Sequence, residues 1–155
     1  MTHPFERVGE GFRVHLPREA RDALARILPQ LREVLEHADR SSDPAVLRLF
    51  PAAYPDDPFQ NLEFETTAGE ELLRGRLDSL RIMESSLDTE TLSEHEALSW
   101  LASLNGLRLL LGVRLEVTEE TTEDDFPAEE GRRLYDLYRY LTWLEGSIVE
   151  VLPIR

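Results

Sequence analysis

Apolar and polar side chains alternate at the start of the chain: Phe12, Val14 and Leu16 are separated by Arg13 and His15. A period of two predicts a short strand with one face in a core. Phe5–Val8 precedes it across Gly9-Glu10-Gly11, so residues 5–16 read as a small hairpin with a glycine turn. The period then changes to that of a helix. Pro17 suits a first helical position, and Ala20, Leu24, Ile27, Leu28, Leu31, Val34, Leu35 and Ala38 form one stripe. Pro29 lies inside that stripe and is expected to kink or split the helix, because it has no N–H and crowds the carbonyl four residues back.

Ser41-Ser42-Asp43-Pro44 reads as a loop and cap before a short helix carrying Leu47 and Phe50. Pro51, Pro55 and Pro58 stop further helix, leaving a proline-braced connection anchored by Phe50 and Tyr54. A long helix is predicted from about residue 60 to 87, with Leu73, Leu77, Leu80 and Leu87 on one face and weakened by Gly69 and Gly75. Ser93 and Glu96 make a capping box for a central helix whose apolar side chains surround nearly the whole circumference from Trp100 to Val113. Such a helix is buried on most sides. GVRLEV leaves open whether Arg114 ends it or starts an extended segment. An acidic loop follows, and from around Pro127 a last helix sets Leu134, Leu137, Tyr138, Leu141, Leu144, Ile148 and Leu152 on one face. The prediction is a mainly α single domain, 1–155: a bundle of four to five helices over 17–152 with the N-terminal hairpin appended.

Composition narrows the chemistry. With 155 residues the chain is long enough for one sizeable core. No cysteine is present, which excludes disulfides, a thiolate nucleophile and sulfur-ligated metals. Arg108 and Arg114 interrupt the greasiest segment, so no membrane span is predicted, and MTHPFERVGEGF lacks the apolar run of a secretory signal. The expected location is the cytoplasm. Seventeen basic residues, all of them arginine, against thirty-one acids give a net charge of −14, which disfavours direct contact with nucleic acid or anionic lipid. The absence of lysine removes Schiff-base chemistry and a Walker-type phosphate site.

Polar residues on greasy faces are the candidates for chemistry. Asn105, Arg108 and Gly112 fall within about 60° of one another on the central helix. Glu145 lies on the apolar face of the last helix, so a pair with Arg108 or Arg114 inside the bundle is expected. The candidate buried polar cluster is Asn105, Arg108, Arg114 and Glu145. His3, His15, His37 and His95 share no ligand spacing, and Ser99 stands where a zinc-protease helix beginning at His95-Glu96 needs its second histidine. Residues 116–130 hold many carboxylates without EF-hand order. No metal, cofactor or catalytic set is predicted, and an enzyme is not expected. Trp143 lies opposite the apolar face of the last helix with Tyr135 and Tyr140 on the flanks; these three are the candidate interface, with a homodimer as one use of it.

The blocks RLFPAAYPDDP, LNGLRLLLGVRL and YLTWLEGSIVEVL, in that order, resemble an actinobacterial family of unknown function that includes the actinomycete oxidative stress regulator. The resemblance spans roughly residues 12 to 152. Genes of that family commonly lie beside the Clp protease adaptor. It implies a cytoplasmic, non-catalytic regulatory or interaction protein, acting on transcription or the stress response through contacts with another protein; separately, the charge of the acidic run 116–130 suits a basic partner such as an RNA-polymerase or sigma-factor surface. Two further readings stand beside it: an accessory factor for Clp-dependent proteolysis, and a small-molecule sensor or unrecognised enzyme using an Arg/Asn/Glu pocket. Gly106 occupies the position after the central Asn where the family carries an acidic residue. Without cysteine, the thiol-based response associated with the namesake regulator does not carry over.

Overall fold

Strand β1 (Phe5–Val8) and strand β2 (Gly11–Val14) pair antiparallel with Phe5 opposite Val14 and Val8 opposite Gly11. The loop is therefore two residues long. Gly9 opens it at φ 63°, the left-handed conformation that glycine adopts without penalty. The computed structural model describes residues 3–37 and 58–153, with side chains in the second stretch described from residue 70 onward. The expected short helix with Leu47 and the anchors Phe50 and Tyr54 lie outside the described residues.

Four α-helices follow among the described residues: α1 (Arg18–His37), α2 (Pro58–Ser86), α3 (Glu94–Arg114) and α4 (Glu129–Val151). The mainly α class with a small N-terminal β unit is the architecture seen. Pro17 stands just outside α1, its carbonyl receiving the N–H groups of Ala20 and Arg21 at 3.1 and 3.2 Å. Pro29 does not split the helix. Its ring and Ala25, whose carbonyl loses a partner, both face solvent, while Ile27, Leu28 and Leu31 hold the opposite side in the core. Water can satisfy the freed carbonyl, so the lost bond is cheap there.

A third strand, β3 (Thr91–Leu92), extends the sheet in the order β1-β2-β3, with Leu92 opposite Phe12. Two residues carry no readable period, which is why the pattern along the chain did not announce it. Gly11 lets β3 come close, since a Cβ there would lie 2.7 Å from the Leu92 carbonyl oxygen.

Helix α3 is the axis of the molecule, packing on α1, α2, α4 and the sheet. Its N-terminus is capped reciprocally: the Glu96 N–H donates to Ser93 Oγ at 3.1 Å and the Ser93 N–H to Glu96 Oε1 at 2.8 Å. Arg114 is its last residue. Glu116 then takes φ 55°, and the N–H groups of Glu116 and Val117 return to the carbonyls of Val113 and Gly112, a Schellman closure with glutamate in the position glycine usually fills. Trp100 is fully buried; its indole N–H donates to Ser86 Oγ at 2.8 Å and Phe5 meets its ring edge-on at 6.1 Å.

One buried charge escaped the sequence reading. Arg21, three residues before Leu24 and seven before Leu28, heads the apolar stripe of α1 and is only 7% exposed. A charge in line with a core stripe was the available signal. Its guanidinium donates to the carbonyls of Leu16, Leu87, Thr89 and Val14 at 3.2, 2.6, 2.8 and 3.3 Å. It thereby ties α1, β2 and the α2–β3 connection together.

Candidate functional site

The packing of α3 on α4 brings Glu145 to Arg108. Arg108 Nε donates to Glu145 Oε2 at 2.7 Å, and Nη2 reaches Asn105 Oδ1 at 3.4 Å, a weaker contact. The pair is sheltered rather than sealed, with side chains 31% and 19% exposed. Gly112 lies one turn further along, where a Cβ would sit 3.3 Å from the Tyr138 ring; the missing side chain admits that ring between the helices. The cluster is thus a seam between α3 and α4. Arg114 does not belong to it. Six residues beyond Arg108, it points about 240° around the helix, where it is exposed and makes no ion pair among the described residues.

A bond that links charged groups at partial burial contributes more than a surface pair. A double-mutant cycle on Arg108→Ala and Glu145→Ala, read by urea unfolding, is expected to give a coupling of about 1–2 kcal/mol. A value near zero would show that water holds both groups.

The three aromatic residues of α4 have different environments. Tyr135 is 8% exposed and so is not part of an open surface. The acidic segment folds back over it: Phe126 stacks on its ring at 4.8 Å, and its hydroxyl donates to the Thr121 carbonyl at 3.3 Å. Arg132 Nε also donates to the Phe126 carbonyl at 3.2 Å. A short 3-10 turn, Glu123–Asp125, orders the segment further, the Thr122 N–H donating to Asp125 Oδ2 at 2.9 Å. The loop's carboxylates face solvent on a backbone that is pinned down.

Tyr140 and Trp143 remain on the outer side, their rings 5.5 Å apart. Burial pushes the Tyr140 hydroxyl above the usual phenol range. Trp143 is 39% exposed. Asp136, Arg139, Tyr140 and Trp143 enclose an open recess of about 330 Å³. Among the described residues no group of three or more His, Asp and Glu side chains gathers as a metal site, and no described helix is long and apolar enough to cross a membrane.

Among the described residues, fold and surface together define a mainly helical protein with a small three-stranded sheet and an outward Tyr140–Trp143 pair on its last helix. The chain belongs to the family described as Domain of unknown function (DUF2017), whose model matches residues 2–152. Among its relatives is the oxidative stress regulator AosR of Mycobacterium bovis and of Mycobacterium tuberculosis, 31% identical over 133 residues that cover 75% of this chain and 61% of the relative. The chain thus spans about three fifths of the length of the curated relatives it matches. No solved structure matches it.

Proposed function

We propose that this chain is a non-catalytic, cytoplasmic regulatory domain that works through protein–protein contacts, in a stress response or in transcription. The observation that carries this reading is the half-exposed Trp143 beside Tyr140 on the outer face of α4, a placement that costs solvation unless a partner covers it. Similarity to a protein named as an oxidative stress regulator supports the regulatory class. The pinned acidic segment offers a second surface, suited by charge to a basic partner.

Capture from the native cytoplasm with tagged protein, read by mass spectrometry, tests the reading. A transcription factor or sigma factor is expected, with recovery falling at least tenfold for Trp143→Ala while the circular dichroism of the variant matches the parent. Full recovery with that variant would remove α4 as the contact surface. Recovery of Clp components alone would assign the domain to proteolysis instead.

A further inference from the structure

A second recess, of about 330 Å³, lies between the N-terminal segment and the C-terminal part of α4 and shares Trp143 with the one already described. Trp143 stands toward one end and Glu150 toward the other, seven residues or about 10.5 Å further along the helix axis. Between them Gly146 leaves a trough, since nothing comes within 4 Å of where its Cβ would stand. Pro4, which is buried, forms the opposite wall beside His3.

Two polar groups of the recess are already engaged. The Thr142 hydroxyl donates to the Tyr138 carbonyl at 3.0 Å. His3 Nδ1 accepts the Phe5 N–H at 3.1 Å, so the ring proton sits on Nε2, which donates to Glu150 Oε2 at 3.0 Å. An imidazole held in this way is neutral and leaves the carboxylate its full charge. Two other groups are open. Glu150 Oε1 has no partner among the described residues. Ser147 is only 5% exposed, lines the recess, and its hydroxyl makes no hydrogen bond to any described group. A sheltered hydroxyl without a partner is costly until something in the recess supplies one.

We propose that this recess takes an arginine side chain of a partner protein. The proposal rests on reading Trp143 as a contact residue, and it names what Trp143 contacts. The open groups are a carboxylate oxygen and a hydroxyl, both able to accept, beside an indole ring whose face attracts cations. No arginine is among the described residues that line the recess. Its length selects a long side chain over a small cation: an aliphatic stem lies over Gly146 against Trp143 and Pro4 while the charged head reaches Glu150. Ser147 and Glu150 stand on successive turns, and the planar guanidinium with its five N–H donors bonds to both at once. The net charge of −14 favours the approach of such a basic partner.

The probe is N-acetyl-L-arginine N-methylamide, titrated into the full chain and followed by two-dimensional NMR. The chain has two tryptophans and Trp100 is fully buried, so the Trp100 indole N–H is an internal reference for that of Trp143. A saturating shift of the Trp143 signal is expected, with a dissociation constant of about 1–10 mM, ordinary for so small a ligand. Methylguanidinium has the head without the stem, and the norleucine analogue has the stem without the head; each is expected to bind at least about fivefold more weakly. The same loss is expected for Glu150→Gln, which can still accept from His3, and for Gly146→Leu, which fills the trough, each with the circular dichroism of the parent. Partner capture is expected to fall with both variants. No saturating shift of Trp143 up to about 50 mM, or equal affinity for the norleucine analogue or for folded Glu150→Gln, would overturn the inference. Free L-arginine binding more than about tenfold tighter than the capped probe would make this a metabolite site and overturn the docking role. Loss of capture by Trp143→Ala in a protein that does not bind the arginine probe would leave the contact-surface reading standing without this one.

Discussion

Arg21→Met is expected to lower the unfolding free energy by about 3–5 kcal/mol, because it leaves several buried backbone carbonyls without a donor at about 1–3 kcal/mol each. Domains are stable by only about 5–15 kcal/mol, so the loss is a large share of the total. The reason lies in what the guanidinium touches. Its bonds go to four backbone carbonyls, of Val14 and Leu16 in one stretch and of Leu87 and Thr89 in another distant in sequence. Methionine matches the aliphatic stem, ending about where Nε lies, but has no donor, and those carbonyls lose their charged partner. Recovery of the desolvation cost of the charge offsets part of the loss, which keeps the figure below the sum of four charged bonds of about 1.5–3 kcal/mol each. Lysine keeps the charge but not the planar fork, so Arg21→Lys should fall between the two. Urea unfolding of the three proteins measures this; Arg21→Met within about 1 kcal/mol of the parent would show that water replaces the guanidinium at little cost.

Trp100→Ala should cost a similar amount, about 3–5 kcal/mol, by opening a cavity where the fully buried indole now sits. The Trp100→Phe variant separates volume from hydrogen bonding. It keeps most of the apolar contact with Phe5 but removes the donor to Ser86 Oγ, so a smaller loss of about 1–2 kcal/mol is expected. Ser86 Oγ still has an outlet, since it donates to the Ile82 carbonyl at 2.7 Å. Thermal unfolding of both variants gives the comparison; equal losses would place the whole effect in the hydrogen bond.

Much of the local structure was legible because its causes are local. Alternation around Phe12 and Val14, the Ser93–Glu96 box and the period of α4 each depend on neighbours within one or two turns. Pro29 shows the limit of such rules. The missing bond was readable, but its cost depended on whether Ala25 faced water or the core, which packing decides. Tyr135 shows the same limit at the surface. Its position beside Trp143 on the helix made it a contact candidate, yet Phe126 from the preceding loop covers it.

The sequence by itself determined the helical class, the hairpin and its turn, the start of α3 and the need of Glu145 for a cationic neighbour, because periodicity, capping and desolvation act along the chain or on single groups. Only the tertiary structure decided that the neighbour is Arg108 and not Arg114, that Thr91–Leu92 completes a sheet, that Arg21 is buried among carbonyls and that Trp143 stays open while Tyr135 does not. Each of those outcomes depends on which distant segments share a surface, and that is a property of packing.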